Sequence, residues 1–405
     1  MPPTGRLTSL IIAGYLLMKG VHVAMTKSIT RWWPAVVILL LALVTIAYFS
    51  LRDKQGTSLD YAFGVVAPFS GQEGASVYGK NIKQAVELAL SEINARGGVN
   101  GRKMVALYED DQLQASVAVG AVQKLISDGR ISVIIGPVAS SSTIAASKVA
   151  EKAHTILISP SSTANDISGM SPWVFRTIAP DNYEAEAMAK YAKSKGFRRI
   201  AIAYVDNAGT KGPAVVFRRS FSGVDTQVVA FEEVPQGVTD VRVQITKLAT
   251  AKPDAVYLLG YALELGAMIK QYREQDTKTP ILSFQVMEEP KVREIAGAAA
   301  EGVVFTTPTI YGSFATGIQK AFIAAYRTRY GEDPGIFAAN AYDATYVLAA
   351  VVVKYGTDPE KIRLGLLQVR GFDGASGRFD INEKGDSNQE PRLMQVRNGQ
   401  IELAK

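Results

Sequence analysis

The chain has 405 residues, of which 47% are hydrophobic and 20% are charged. These values are typical of a globular protein long enough for two domains, and they exclude a disordered chain. The net charge of +6 is spread along the sequence, and no basic run interleaved with aromatic residues predicts a nucleic-acid groove. The absence of cysteine excludes disulfides, thiol catalysis, cysteine-ligated metals and a lipid-modified N-terminal cysteine.

An uncharged hydrophobic segment at residues 32–51 is long enough to span a bilayer. It offers a poor signal-peptidase site at Thr45–Ala47, so an uncleaved signal anchor is favoured over a cleaved signal peptide. Residues 1–31 precede it as a leader, for which an over-long start is an alternative because Met25 begins a more typical export leader. Residues 52–60 form a polar linker. Because either an anchor or a signal peptide directs export, the segment at 32–51 predicts an exported protein.

Beyond the linker, short apolar runs alternate with segments of helical periodicity, and glycine-rich turns separate them. This alternation predicts parallel strands connected by crossover helices, in two successive α/β units. A glycine-rich hairpin at 371–386 and two short strands around Asn398-Gly399 end the chain. The predicted strands are 61–67, 103–108, 131–135, 155–159, 199–204, 227–231, 255–259, 280–284 and 302–306, and the predicted helices are 82–95, 115–127, 143–153, 184–195, 213–221, 241–249, 263–274, 317–329 and 338–355.

Two neighbouring strands of the first unit end in clusters of Ser and Thr. Ser140–Thr143 follow the strand that begins at Ile131, and Ser161–Thr163 follow the strand that begins at Thr155. Parallel strands place their carboxyl ends at one sheet edge, where the ligands of open α/β sheets bind. Free N–H groups at a helix N-terminus suit a carboxylate. Each cluster alone is consistent with ordinary N-capping, but two clusters side by side favour a binding site.

Other motifs lack the residues that their chemistry requires. Gly74–Asn81 nearly matches the phosphate-binding pattern G-x-x-x-x-G-K-[ST], but Asn81 lacks the hydroxyl that holds magnesium. Asp380–Gly385 begins like a calcium loop, but Lys384 occupies a ligand position. Outside the leader, His154 is the single histidine of the sequence, and no G-x-S-x-G occurs. The sequence therefore predicts no metal, no cofactor and no enzymatic activity.

A series of motifs resembles one family in the same order along the chain. They are Gly64–Gly71 with Tyr78-Gly79, Ile93–Gly101, Asp110-Asp111, the two Ser/Thr clusters, Phe175–Asp181, Ile295–Gly297 with Glu301-Gly302, Ala341–Ala344 and Glu383–Asp386. On these motifs, the chain from Tyr61 onward resembles the branched-chain amino acid (Leu/Ile/Val) type of periplasmic solute-binding protein of ABC transporters. The resemblance implies the type I periplasmic binding fold, which has two doubly wound parallel-sheet α/β lobes joined by a three-crossover hinge. Lobe 1 would comprise 61–178 with 308–387, and lobe 2 would comprise 179–307 with 388–405.

The resemblance also implies which lobe 1 residues bind the ligand. Ser140, Ser161 and Thr163 occupy the positions that grip a ligand carboxylate, Ser141 belongs to the same turn, and Tyr78 flanks the site. Their neutral donors at helix and strand ends can bind a carboxylate through oriented N–H dipoles.

In lobe 2, the resemblance implies that Tyr261 closes over the ligand together with an acidic residue that pairs with the α-ammonium. Here the sequence departs from the family, because Gln285 stands at the acidic position and Thr210 lies in a loop that often supplies an aromatic residue. Glu288 is close enough in sequence to replace the missing acid. Ligands other than a leucine-like amino acid therefore stay open, including an amide or a carboxylate without an amine.

The function expected from this resemblance is an extracytoplasmic solute-binding protein. It would capture an amino acid or similar small carboxylate between its lobes and deliver it to an ABC permease in the inner membrane. It would lie in the periplasm or at the extracytoplasmic face of the membrane, anchored through residues 32–51. One alternative is a ligand-sensing receptor for an amide, urea or an amine-free carboxylate that signals to a membrane partner. Another is an exported enzyme on this fold, which no nucleophile–base constellation supports.

Overall fold

The computed structural model describes residues 60–71, 73–307 and 315–404, and the part of the chain from Asp60 onward forms one compact unit. The predicted hydrophobic segment at residues 32–51, with its leader and linker, lies outside the described residues. The elements are, in chain order, β1 (Tyr61–Ala67), α1 (Glu73–Ala95), β2 (Met104–Asp110), α2 (Ala115–Ser127), β3 (Val133–Ile135), α3 (Ser140–Lys152), β4 (Ile156–Ser159), β5 (Val174–Arg176), α4 (Asp181–Ser194), β6 (Arg199–Val205), α5 (Ala208–Phe221), β7 (Gln227–Val234), α6 (Arg242–Thr250), β8 (Ala255–Leu259), α7 (Ala262–Gln275), β9 (Ile281–Ser283), α8 (Pro290–Ala296), β10 (Val304–Thr307), α9 (Gly317–Tyr330), α10 (Ile336–Tyr355), α11 (Pro359–Leu366), β11 (Phe372–Gly374), β12 (Gly377–Phe379), β13 (Arg392–Arg397) and β14 (Gln400–Leu403).

Two large sheets organise these elements into two lobes, and β11 and β12 pair as a separate 2-stranded antiparallel sheet. The first is a 5-stranded parallel sheet in the order β2-β1-β3-β4-β5. The second is a 7-stranded sheet in the order β14-β13-β10-β9-β8-β6-β7, in which the C-terminal strands β13 and β14 run antiparallel and the others run parallel. The inner strands are continuous apolar runs because helices cover both faces of each sheet.

The chain passes between the sheets after β5, after β10 and after β12. This arrangement is the predicted fold class of two parallel-sheet lobes joined by three crossovers. The exact lobe boundaries given above stay a prediction.

Helix α1 begins at Glu73, well before the predicted start at Ile82. The sequence interpretation treated Gly74 and Gly79 as loop residues. A side chain at Gly79 would overlap the backbone of Pro68, so this glycine lets the helix pass close to the chain that leaves β1. The glycine therefore reflects a tertiary contact, which a reading of local propensity cannot distinguish from a turn.

Three short elements were absent from the sequence prediction, namely β5, α8 and α11. Strand β5 has only 3 residues and ends in the buried Arg176, so its composition does not resemble a core strand. Helices α8 and α11 have 7 and 8 residues and both begin with a proline, which suits the first turn of a helix but also marks turns.

Among the described residues, α10 is long and apolar enough to cross a membrane. Most of its side chains are buried, and it packs against α1 and the first sheet. It is therefore the core helix of the first lobe.

Candidate functional site

The first Ser/Thr cluster forms the N-terminal turn of α3. The helix begins at Ser140, earlier than the predicted Thr143, because the Thr143 N–H already donates to the Ala139 carbonyl at 3.0 Å. Ala139 caps the helix without a side-chain hydrogen bond. The hydroxyl of Ser140 accepts from the Ala164 N–H at 3.2 Å, which links this turn to the second cluster. The N-terminal N–H groups of a helix have no intrahelical partner and carry a partial positive charge, so this turn can bind an anion.

The second cluster is fixed beside the first by buried hydroxyl bonds. Ser159 donates to the Pro137 carbonyl at 2.7 Å and accepts from the Ser162 N–H at 3.0 Å. Ser161 donates to the Val138 carbonyl at 2.8 Å. The two turns after β3 and β4 are therefore one rigid unit at the carboxyl edge of the first sheet.

The buried side chain of Arg176 supports the backbone of the second cluster. It is 1% exposed, and its Nε donates to the Asp386 carboxylate at 2.7 Å. Nη1 donates to the carbonyls of Ser162 at 3.2 Å and Ala164 at 2.9 Å, and Nη2 donates to the Ser168 hydroxyl at 2.6 Å. Because the guanidinium contacts the backbone on both sides of Thr163, it positions that residue without lining the cavity described below.

Hydrogen bonds and a ring contact join the second lobe to this part of lobe 1. The Asn207 side-chain NH2 of lobe 2 donates to the Ser141 hydroxyl of lobe 1 at 2.9 Å. Within lobe 2, the hydroxyl of Tyr261, at the start of α7, donates to Oδ1 of Asn207 at 2.8 Å. The Ala262 N–H donates to the Tyr78 hydroxyl at 2.7 Å. The rings of Tyr78 and Tyr261 meet edge to face at 5.8 Å. The lobes are therefore in contact at Tyr78 and at Ser141.

A cavity with about 350 Å³ of empty volume lies where the lobes meet. Among the residues that line it, none is charged. Lobe 1 contributes Tyr78, Val138, Ser140, Ser161, Thr163 and Phe337, and lobe 2 contributes Gly209, Thr210, Tyr261, Phe284, Gln285 and Val286. The space between the two walls is too narrow for an amino acid, so the lobes are almost closed on each other. They must separate to admit a ligand.

Buried acids lie beneath the lobe 2 wall of this cavity. Asp181 and Glu184 share one face of the first turn of α4, and Glu184 accepts from the Gln285 N–H at 3.1 Å. Burial raises the pKa of Asp181 to about 7, against the lowering effects of a hydrogen bond from Thr163 and the charge of Arg176. Burial also raises the pKa of Glu184 well above its usual range, and the charges of Asp181 and Glu288 raise it further.

Two acceptor atoms in this region have no hydrogen-bond partner within the described part of the chain. They are Oε1 of Gln285, whose residue is 2% exposed and lines the cavity, and Oδ2 of Asp181, whose residue is 3% exposed. The Asp181 carboxylate interacts with two residues that line the cavity. Thr163 donates a hydrogen bond to it. Its charge also raises the pKa of Tyr261, after the larger effects of burial and Glu264. Unpaired buried acceptors suit a ligand that donates N–H bonds. In the same described part, no group of three or more acidic or histidine side chains is placed to hold a metal ion.

The structure brings six of the eight predicted site residues to the cavity wall. They are Tyr78, Ser140, Ser161, Thr163, Tyr261 and Gln285. Ser141 instead lines a larger outer space beside Asn207, and Glu288 is fully buried behind the wall.

The sequence prediction missed the apolar wall and Asp181. The apolar residues are Val138, Phe284, Val286 and Phe337, which lie at or next to the ends of predicted elements and carry no polar signal. Asp181 was part of the motif Phe175–Asp181, but no role was assigned to it. The spacing of three residues between Asp181 and Glu184 at a helix start was the feature of the sequence that could have indicated a pair of neighbouring acids.

The chain matches known proteins over its described length. The sequence profile described as "Periplasmic binding protein" matches residues 60–400. A leucine-, isoleucine-, valine-, threonine- and alanine-binding protein of Pseudomonas aeruginosa is 29% identical over 350 residues, which cover 86% of this chain and 92% of that protein. A Leu/Ile/Val-binding protein of Rhizobium johnstonii is 30% identical over 334 residues, which cover 81% of this chain and 89% of that protein.

Solved structures resemble the fold described above. A substrate-binding protein of a branched-chain amino acid transporter from Streptococcus pneumoniae, solved in complex with isoleucine, has a TM-score of 0.79 and 27% identity. The match covers 85% of this chain and 99% of that chain. A leucine-binding protein of Thermotoga maritima has a TM-score of 0.76 and 26% identity, and covers 85% of this chain and 97% of its own.

Replacing Arg176 with Met should strongly destabilise the protein. The change leaves the Asp386 carboxylate buried without its partner, and breaking a buried ion pair in this way costs about 3–5 kcal/mol. Chemical unfolding measures the free energy. The matched control is Arg130→Met, which breaks the surface pair with Asp128 and should leave the free energy of unfolding nearly unchanged, because water screens an exposed ion pair. Equal losses in the two variants would contradict the role given to Arg176.

Proposed function

We propose that this chain, which belongs to the periplasmic binding protein family, captures a small aliphatic amino acid between its lobes and presents it to an ABC permease. The family consists of binding proteins of transporters and not of enzymes, and its members act at the extracytoplasmic side of the membrane. The observation that carries the proposal is the cavity itself. Hydroxyl groups of lobe 1 line it, the unpaired acceptor of Gln285 lies in the lobe 2 wall with the buried Asp181 behind the wall beside Thr163, and the remaining wall is apolar.

The donor side suits a carboxylate. The N-terminal turn of α3 lies on this side of the cavity, and the Ser140 hydroxyl, which here accepts from the Ala164 N–H, can donate to the ligand. The hydroxyls of Ser161 and Thr163 lie on the same wall and are bonded here to the Val138 carbonyl and to Asp181, so they reach the ligand by giving up those bonds. Helix dipoles and oriented N–H groups stabilise an anion without a buried cation. A neutral donor set also avoids the cost of burying an unpaired positive side chain when the ligand is absent.

The acceptor side suits an ammonium group. Gln285 can accept a hydrogen bond but cannot balance a buried positive charge. Asp181 supplies the missing charge in our proposal, since its Oδ2 is buried, has no hydrogen-bond partner within the described residues and lies beside Thr163. A nearby cation favours the ionised carboxylate. The sequence prediction gave this role to Glu288, which here lies behind the wall and adds to the negative potential around Glu184.

The apolar wall suits an aliphatic side chain. Val138, Phe284, Val286 and Phe337 present hydrophobic surface to the cavity, and Tyr78 adds an aromatic face. Burying an aliphatic side chain of this size contributes about 1.5–3 kcal/mol. The relatives named for leucine, isoleucine and valine support the same ligand class.

A neutral amide or an amine-free carboxylate is the second candidate ligand. The observation that favours it is Gln285, whose amide can serve both donors and acceptors but carries no charge. A receptor that senses such a ligand and signals to a membrane partner would use the same cavity. The Asp181 experiment below distinguishes the two ligand classes.

We further propose that residues 32–51 anchor the protein to the membrane. This segment lies outside the described residues, and the proposal rests on its length, its lack of charge and its poor cleavage site.

Replacing both Ser140 and Thr163 with Ala should weaken the binding of L-leucine. Ser140→Ala removes a hydrogen bond to the ligand carboxylate, which is worth about 1.5–3 kcal/mol, and Thr163→Ala removes the second hydroxyl of this wall together with its bond to Asp181. Isothermal titration calorimetry measures the dissociation constant. Ser147→Ala is the matched control, because Ser147 lies on the same helix but donates to the Ile144 carbonyl away from the cavity. An unchanged affinity in the double variant would refute the assignment of the donor side.

Replacing Asp181 with Asn should weaken L-leucine but spare 4-methylpentanoate, which has the same carbon skeleton without the amine. Leaving a buried ammonium unpaired costs about 3–5 kcal/mol, whereas an amine-free ligand loses nothing at this site. Calorimetry with both ligands, on this variant and on Glu288→Gln, measures the difference. If Glu288→Gln alone lost leucine affinity, Glu288 would be the charge partner. If 4-methylpentanoate bound the unmodified protein more tightly than leucine, the second ligand class would be correct.

The full chain should fractionate with membranes after export. An uncleaved hydrophobic segment of bilayer length keeps a protein in the lipid phase through alkaline washing. Mass spectrometry of the exported protein tests the anchor directly, since an intact N-terminal segment is expected. A soluble product whose N-terminus lies just after Ala47 would show a cleaved signal peptide instead.

A further inference from the structure

A contact between the lobes outside the ligand cavity centres on Glu289. This residue lies in lobe 2, between the single-turn helix Gln285–Glu288 and α8. Its side chain is 0% exposed and reaches into lobe 1. There its carboxylate accepts from the Asn81 amide at 3.2 Å and from the Phe337 N–H at 3.4 Å. Both donors belong to lobe 1, on α1 and α10.

The Glu289 carboxylate lies at the N-terminus of α10, the core helix of lobe 1. The helix is capped by Gly335, which supplies no side-chain hydrogen bond. A carboxylate at this position satisfies one of the free N–H groups of the first turn and interacts favourably with the helix dipole. Glu289 therefore acts as the capping side chain of a helix in the opposite lobe.

The fit around Glu289 leaves no room for a larger residue at Gly335. A Cβ added to Gly335 would overlap the Glu289 carboxylate. The φ of Gly335 is −87°, which alanine adopts without strain. Glycine is therefore needed here for the approach of the other lobe and not for the local backbone.

The contact is adjacent to the ligand cavity. Phe337, whose N–H bonds Glu289, places its ring in the cavity wall, 5.7 Å from the ring of Tyr78. Asn81 lies one helical turn after Tyr78 on α1. Separation of the lobes would break both hydrogen bonds to Glu289 and open the same wall.

The groups around Glu289 offset the cost of burying its carboxylate only in part. Burial raises its pKa to about 7, and hydrogen bonds from Phe337 and Asn81 and the charge of Arg293 lower it only in part. Tyr78 is the other titratable group that interacts with it, and its own pKa is raised by burial first and by Glu289 next. The polar bonds from lobe 1 are therefore what compensates the buried carboxylate when the lobes are together.

We propose that Glu289 and the N-terminus of α10 form an interlobe latch that stabilises the closed form and so sets ligand affinity without touching the ligand. The ligand-affinity part rests on the proposed function, whereas the latch itself does not. Ligand binding and latch formation favour the same closed state, so each should strengthen the other.

The test compares Glu289→Ala, Gly335→Ala and the double variant, with L-leucine as the probe in calorimetry and stopped-flow dissociation. Each single substitution should weaken binding about 2- to 30-fold, the range expected for loss of a helix-capping hydrogen bond, mainly through faster dissociation. The double variant should lose less than the sum, because removing the carboxylate removes its overlap with the new methyl group. Glu289→Gln should keep most of the affinity, since its amide oxygen still accepts from Phe337.

Gly317→Ala is the matched control, because this glycine also lies at a helix start in lobe 1 but a Cβ there meets nothing within 4 Å. It should bind as the unmodified protein does. Thermal unfolding of each variant identifies any that fails to fold, and Gly335→Ala tests the latch from lobe 1 without removing a polar group.

Hydrogen exchange at the Phe337 amide separates the latch from the ligand proposal. This N–H should exchange slowly in the unmodified protein and faster in Glu289→Ala and Gly335→Ala, whether or not leucine binds. If leucine fails to bind but the amide responds in this way, the proposed ligand is wrong and the latch is supported. Unchanged exchange and additive effects in the double variant would overturn the latch.

Discussion

A small zwitterion enclosed between two lobes loses its water, so each of its charges must meet an oriented partner inside the protein. In the proposed function, two different groups of residues in and behind the cavity wall meet this constraint. At one end, two turns after β3 and β4 present helix N–H groups and hydroxyls, and Arg176 fixes their positions from outside the cavity. In the lobe 2 wall, Gln285 has an acceptor atom without a partner among the described residues, and the buried Asp181 carboxylate lies behind the wall next to Thr163. The sheets, the turns and Arg176 hold these groups around one small space.

The two lobes also bond to each other directly, through residues that do not depend on the ligand. Tyr78, Ser141 and Asn81 of lobe 1 bond to Ala262, Asn207 and Glu289 of lobe 2. These bonds exist only when the lobes are together, so they add to the stability of the closed form. A ligand that bridges the two walls shifts the same equilibrium. Affinity in such a protein is therefore the sum of the ligand contacts and of the closure equilibrium, which residues outside the cavity can change.

The sequence predicted the parts of this account that depend on local pattern. The alternation of apolar runs and helical segments predicted the two parallel-sheet lobes, and the Ser/Thr clusters after β3 and β4 lie together as expected. The start of α1 was wrong because Gly79 serves a contact with Pro68 and not a turn. Phe337 and Glu289 could not be predicted to meet, because their contact depends on how the lobes close and not on either local sequence. Asp181 could have been found from its spacing to Glu184, but its unpaired oxygen is visible only in the fold.

The measurement that tests the central claim most directly is a thermal-unfolding panel on the ligand-stripped protein. It would pair aliphatic L-amino acids with their amine-free analogues, and include small amides and urea. A ligand present at a hundred times its dissociation constant adds about 2.7 kcal/mol to the free energy of unfolding, which raises the melting temperature by about a few degrees. The account predicts that the aliphatic amino acids raise the melting temperature and that their amine-free analogues do so much less. A shift with the analogues alone would contradict the pairing of a ligand ammonium with the acidic side of the cavity.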